Sequence, residues 1–214
     1  EQLWLTDGKG SRQLTHFPMD TYLSAMAWAA DGKSLLVNAN YKLTQVYLDA
    51  KQKPFPVEYA VVRLFQWDSE NNNALLRIRI KGILKFAELN LTNSEIRIIS
   101  DKTVNWALKS ESGQLIYTDH MDRFWQSGPV EDQLIYALDS QKNAKQRFVI
   151  KDNVIYGIND AFQLWSYVLN EDKFEIIGEL PRNVDYLTDI TQTQLLMKVS
   201  VSSAKEVVEL FLNE

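Results

Sequence analysis

Three tryptophans, Trp28, Trp67 and Trp106, recur at one even interval of about 40 residues, each ahead of a polar turn and an aliphatic run. Few folds give a large aromatic a reason to return at such an interval. Trp28 leads through Asp31-Gly32 into Leu35-Leu36-Val37, Trp67 through Glu70-Asn71-Asn72-Asn73 into Leu75-Leu76, and Trp106 through Glu111-Ser112-Gly113 into Leu115-Ile116-Tyr117. Phe148, with Asp152-Asn153 and Val154-Ile155-Tyr156, and Tyr186, with Thr191-Gln192-Thr193 and Leu195-Leu196-Met197, continue the series. Gly and Asn at the turns tolerate the backbone angles of tight hairpins, and the apolar runs give each hairpin a face to bury.

A third strand is expected in each unit: Gln2 to Leu5, Gln45 to Leu48, Lys85 to Leu89, Gln133 to Tyr136, Gln163 to Trp165 and Glu209 to Leu212. Short polar turns then introduce a fourth, as at Asp49 to Lys53, Asn90 to Ser94, Asp139 to Lys145 and Asn170 to Lys173. Four strands in a repeat of about 40 residues is the pattern of β-propeller blades. The expected fold is therefore all-β, a propeller of four-stranded antiparallel blades, five to six in number with six favoured. A β-sandwich would leave the recurrence of Trp unexplained. The chain reads as a single domain, 1–214, with units near 1–17, 22–60, 61–103, 104–147, 148–183 and 184–214. Its two ends hold five strands where one blade needs four, so either a blade is interrupted before Glu1 or closure is irregular. Because the chain begins at Glu1 without Met, it is expected to be a processed product or an excised domain. Equal spacing predicts that the three tryptophans occupy equivalent, largely buried places.

The stretch from Leu3-Trp4-Leu5-Thr6-Asp7 through Gly10-Ser11-Arg12-Gln13-Leu14-Thr15 to Ala27-Trp28-Ala29-Ala30-Asp31-Gly32-Lys33 resembles the WD-like repeat of TolB and of prolyl oligopeptidase propellers. In that repeat a hydrophobic residue precedes Trp-Ser-Pro-Asp-Gly-Lys. The match is good from Glu1 to Ala50 and decays afterward; Ala29-Ala30 stand where the pattern has Ser-Pro, and later units keep only an aromatic and a turn. Similar propellers form the extracytoplasmic part of CadC-like and ToxR-like membrane-anchored transcriptional regulators. That resemblance implies a periplasmic, signal-sensing, non-catalytic module, its membrane attachment lying outside this chain.

A net charge of −5 argues against a general nucleic-acid or anionic-membrane surface, since both need concentrated Lys and Arg. Arg77, Arg79 and Lys81 form the densest basic run and are expected on one solvated strand face. The chain has no cysteine, which removes disulfides, thiol nucleophiles and cysteine metal sites. Its two histidines, His16 and His120, stand in no ligand-spaced pair. No phosphate-binding loop or nucleophile elbow is present, so no cofactor and no metal are expected. Carboxylates such as Asp119 and Asp122 would serve a glycosidase only if two faced each other across a pocket.

Asp119 to Asp132 departs from the repeat. It reads as a lengthened connection between second and third strands, on the face where propellers meet partners, and Phe124 and Trp125 beside His120 and Arg123 have the composition of a recognition patch. These four are the expected partner-binding residues, for a protein or small-molecule signal. The alternative is that the aromatics fold back over the blade. The rival functions are a propeller enzyme such as a glycosidase or lyase, an accessory domain of a prolyl-oligopeptidase-like hydrolase, and a scaffold in a cell-envelope assembly.

Overall fold

The computed structural model describes residues 1–6, 10–141, 147–191, 194–201 and 204–211; for 201 and 204–211 it gives the strand path alone. The segment 142–145, Gln192, Thr193 and Leu212, assigned to strands or turns from the sequence, and Asp7 of the opening stretch lie outside these residues. The described chain is all-β, with a single 3-10 turn at Tyr136–Leu138. Its strands form the antiparallel sheets of a β-propeller, and they gather into two compact units, Glu1–Thr103 and Val104–Glu214.

The first unit opens with a two-stranded sheet of β1 (Trp4–Thr6) and β2 (Ser11–Gln13). Two complete blades follow. One is β3 (Leu23–Trp28), β4 (Ser34–Ala39), β5 (Lys42–Tyr47) and β6 (Gln52–Pro54); the other is β7 (Ala60–Asp68), β8 (Asn73–Ile80), β9 (Ile83–Asn90) and β10 (Ile96–Ser100). Strand pairing in each follows chain order. The two-residue hairpins at Asn40-Tyr41 and Lys81-Gly82 have both central residues at positive φ, the geometry that matches strand twist.

The second unit holds β11 (Val104–Lys109), β12 (Leu115–Asp119), β13 (Phe124–Gln126) and β14 (Gln133–Leu134) in one blade. The next contains β15 (Val149–Lys151), β16 (Val154–Ile158), β17 (Gln163–Val168) and β18 (Lys173–Glu179). A three-stranded sheet of β19 (Val184–Ile190), β20 (Gln194–Val201) and β21 (Ala204–Phe211) completes it.

The equal spacing of the tryptophans does not mean equal environment. Trp28 pairs with Leu35 and Trp67 with Ala74, each beside a tight turn, so these two are equivalent. Trp106 pairs with Thr118, well before its hairpin ends, and Lys109, opposite Leu115, takes the place that Trp28 and Trp67 hold. Burial differs too. Trp67 is 7% exposed and joins a core with Leu36, Leu43 and Phe55 from the preceding four-stranded blade. Trp28 is 51% exposed. It shares a sheet face with Met26, Leu35 and Val37, and the strip covering that face has only two strands. Leu3, Leu14, Leu5 and Phe17 pack on Leu35, Val37 and Val46 and leave Trp28 and Met26 in solvent.

The basic run also differs from expectation. Arg79 is exposed, whereas Arg77 is half-buried and burial lowers its pKa, because its pairing partner Phe86 lies in the core.

Candidate functional site

The residues from Asp119 to Arg123 connect β12 to β13, and one carboxylate organises them. Asp119 Oδ1 accepts the backbone N–H of Met121 at 2.8 Å and of Arg123 at 3.1 Å. Its Oδ2 accepts Arg123 Nη2 at 2.7 Å, Arg123 Nε at 2.9 Å and the Trp125 indole N–H at 2.9 Å. The guanidinium also lies 5.3 Å from the centre of the Trp125 ring. Burial by itself would raise the Asp119 pKa, but the bonds from Arg123, Trp125 and the backbone offset it and hold the carboxyl below its ordinary value.

This connection is not an insertion. In the next blade Asn159 Oδ1 accepts the N–H of Ala161 and of Gln163, the same i+2 and i+4 bonds that Asp119 makes. Asp122 donates its N–H to the Asp119 carbonyl as Phe162 does to that of Asn159, both at positive φ. The two loops are therefore of equal length. The third and fourth strands of this unit differ from the sequence expectation: β13 is Phe124–Gln126, and Gln133–Leu134, expected as the third strand, is the fourth. The additional residues lie at 127–132, between β13 and β14. There Gly128 is required because a Cβ would stand 2.2 Å from the Glu131 carbonyl oxygen, and Asp132 accepts the Tyr117 hydroxyl at 2.6 Å. Burial, then that bond and its charge, raise the Tyr117 pKa.

The four expected binding residues separate accordingly. Phe124, 5% exposed, is a core side chain packed on Phe148 and Trp165 with ring centres 5.3 and 5.6 Å away, because strand alternation points it inward where a loop would have left it free. Arg123 and Trp125 brace Asp119 and keep part of their surface. His120 is exposed at the loop tip beside exposed Met121.

Beneath this loop is a small recess with a cavity volume of about 10 Å³, room for about one water, lined by Thr118, Asp122, Phe124, Gln141, Arg147, Ile158 and Trp165. Asn105 Nδ2 donates to the Asp119 carbonyl and to Asp122 Oδ1, and so ties the loop to β11. The Arg147 guanidinium carbon lies over two rings, 4.7 Å from the centre of Trp106 and 4.1 Å from that of Tyr186. Trp106 is itself fixed by its indole N–H donating to the Phe148 carbonyl at 2.9 Å. Trp165 lies flat on Gly157, where a Cβ would come within 2.2 Å of the ring. Among the lining residues, Thr118 Oγ1 and Trp165 Nε1 are buried and meet no hydrogen-bond partner, as is also true of Trp67 Nε1 in the first unit.

Sequence reasoning found the loop but not the recess. Arg147, Gln141, Thr118 and Trp165 carry no motif, and sheet pairing alone brings them together. A wider groove of about 490 Å³ in the first unit runs over Trp67 between Asp31, Lys33, Gln45, Tyr47 and Glu70; its walls are largely turn residues carrying mixed charge. Among the described residues no three His, Asp or Glu side chains gather where they could hold a metal ion.

No family model and no curated protein matches the sequence. Solved structures do match. A protein described as TolB from Agrobacterium tumefaciens superposes with a TM-score of 0.71 at 11% identity, over 95% of this chain and 81% of that one. The tricorn protease matches with a TM-score of 0.65 at 11% identity, over 89% of this chain but only 21% of its own. The extracellular domain of the hybrid two-component system BT4673 from B. thetaiotaomicron matches at 0.59 and 10% identity, over 98% of this chain and 30% of that one. This chain thus spans about a fifth of the tricorn protease and under a third of the BT4673 domain. At these identities the likeness establishes the β-propeller fold.

Proposed function

We propose that this propeller is a non-catalytic recognition module whose binding surface is the end of the second unit formed by the β12–β13 and β16–β17 loops. The observation that carries the reading is the five-bond cage around Asp119. It commits the most conspicuous carboxylate of the loop to structure, leaving it ill-suited to acid–base work, and it presents His120 and Met121 on a rigid tip. Such preorganisation lowers the entropy lost on binding.

In its finer form the reading makes the chain the periplasmic sensing domain of a membrane-anchored transcriptional regulator that meets a protein or a small signal at this end. The resemblance of the opening stretch, Leu3 to Lys33, to TolB-like repeats supports an extracytoplasmic setting, as does the likeness to the extracellular domain of a two-component system. The enzyme reading draws on the likeness to a protease and asks for convergent carboxylates; here Asp122 is bonded to Asn105 and Asp119 is enclosed.

A photo-reactive residue placed at His120, and in a control at exposed Asp31, tests the proposal in the native host. One defined adduct is expected from position 120 and none from 31. Equal adducts from both, none from either, or turnover of peptides or oligosaccharides by the purified chain overturns it. For the location, protease added to intact cells should spare the domain and digest it once the outer membrane is permeabilised.

A further inference from the structure

The groove over Trp67 opens between the hairpin turns of two successive blades, the β3–β4 turn with Ala30, Asp31 and Lys33 and the β7–β8 turn with Ser69, Glu70 and Asn72. One bond braces the turns on each other, the Ala30 N–H donating to Ser69 Oγ at 2.8 Å. The corresponding hairpins of the second unit are joined twice, Ser112 Oγ donating to Asn153 Oδ1 at 3.0 Å and Lys151 Nζ reaching Glu111 Oε1 at 3.5 Å. In the first unit the charges do not close in this way. Among the described residues neither Lys33 nor Glu70 forms an ion pair, and Asp31 Oδ1 is turned to its own loop, accepting the Lys33 N–H at 2.9 Å. The inner wall is fixed by β4 and β5. Buried Ser34 Oγ accepts from Gln45 Nε2 at 3.0 Å, which sets the plane of the amide and leaves Gln45 Oε1 as an acceptor. Tyr47, directly opposite Ser34 in the sheet, is half-buried, and its hydroxyl has no hydrogen-bond partner among the described residues.

We propose that this groove binds a neutral sugar, a mono- or disaccharide, at a site separate from the β12–β13 loop; the inference goes beyond the recognition reading above. Three features select that class. A volume of about 490 Å³ lies within the range of about 300 to 1,000 Å³ usual for small-molecule sites. The walls offer donors and acceptors together, with the Lys33 ammonium, the Gln45 and Glu70 oxygens and a Tyr47 hydroxyl that serves as either, and a sugar hydroxyl likewise donates and accepts at once. The Tyr47 ring adds a flat apolar surface for the C–H face of a sugar ring. The rim carries the carboxylates of Asp31 and Glu70 against the one ammonium of Lys33, a balance that disfavours sugar acids and sugar phosphates. Because the bonds between the turns and within the wall are already made, little order is lost when a ligand enters.

The test is titration of the full chain, 15N-labelled at tryptophan, at constant ionic strength, with the Trp67 indole signal assigned through Trp67→Phe. Glucose, galactose, mannose, N-acetylglucosamine, maltose and cellobiose form one arm; glucuronate and glucose 6-phosphate form the other. A saturable shift of the Trp67 signal is expected from at least one neutral sugar, and a weaker one or none from the two anions. Gln45→Leu removes the amide and should weaken binding roughly tenfold. Tyr47→Phe keeps the ring and loses the hydroxyl; it should weaken binding by about threefold or more, and it still tests the site if the loss of the Ser34 partner unfolds the Gln45 variant. No shift from any neutral sugar, equal binding of the anions, or unchanged affinity in both variants overturns the inference. A sugar in the groove adds no protein-sized adduct at position 31, so that control keeps its meaning. If the photo-reactive residue at position 120 captures its partner and no sugar moves Trp67, recognition stands and the sugar site falls. If a sugar binds and no adduct forms at position 120, the groove is real and the loop is not the partner surface.

Discussion

Replacing Asp119 separates the two parts of its cage. Asp119→Ala removes both; Asp119→Asn keeps an Oδ1 for the N–H groups of Met121 and Arg123, as Asn159 does in the next blade, and discards the anion that Arg123 and Trp125 address. Breaking a buried ion pair by deleting one partner costs about 3 to 5 kcal/mol. Arg123 keeps about a third of its side-chain surface in water, so the electrostatic share is discounted. About 3 kcal/mol is expected for Ala and about 1 to 2 for Asn, the difference being the two backbone bonds at roughly 1 kcal/mol each. Urea unfolding at pH 7, followed by circular dichroism, reads both. The Asp119 pKa is lowered in the folded state, so its contribution is complete above the unfolded value of about 3.9 and disappears as pH falls through the lower folded value. The gap between wild type and Asp119→Asn should therefore narrow below about pH 4. Equal losses in the two variants, or a gap that persists at pH 2, would refute the partition.

The two register-equivalent tryptophans should respond very differently: Trp67→Ala costs about 3 to 5 kcal/mol, and Trp28→Ala about 1 kcal/mol or less, in chemical denaturation. Similar losses would mean that Trp28 is covered in solution. Gly157→Ala drives a methyl into the Trp165 ring and should cost about 1 to 3 kcal/mol, with the double variant Gly157→Ala, Trp165→Phe recovering part of it; additive losses would show that the two residues do not meet. Tyr167 is pushed up to about 12 by burial, by its hydrogen bond to Asp172 and by that residue's charge. A raised folded pKa gives stability that is intact below the unfolded value of about 10 and lost as pH climbs toward the folded one, so alkaline unfolding between about pH 10 and 12 should be less steep in Tyr167→Phe.

Blade periodicity was legible because a sheet needs an apolar face and a turn at each end, and both leave local marks. The Asp31-Gly32 turn sits where its residue types place it and β3 to β10 follow the reading closely, although Lys81, expected on a strand face, lies in the β8–β9 turn. The second unit misled for a physical reason. Phe124-Trp125 alternates one aromatic into the core and one toward the surface, which is the mark of a half-buried strand, but a strand as short as β13 is too brief a run to reveal a period of two. Polar neighbours on both sides then make a strand look like a decorated loop. The Asx turn at Asp119 was visible in principle, since the spacing from Asp119 to Arg123 repeats from Asn159 to Gln163, yet the side chains between them share nothing.

The recess could not have been read in the same way, because sheet pairing alone brings its residues together. Arg147 is one of 23 basic residues and its neighbours in sequence are ordinary. It becomes distinctive only when β11 and β19 bring the rings of Trp106 and Tyr186 against it, one from far upstream in the chain and the other from far downstream. Trp165 and Thr118 likewise look like routine core positions, and Gly157 explains why so large a ring fits on β17. Phenylalanine would fill much of that space without burying an N–H that meets nothing, and leaving such a group unpaired costs about 1 to 3 kcal/mol. Trp67 Nε1, also buried, meets no partner either, so at both positions the apolar area that the larger indole buries offsets that cost.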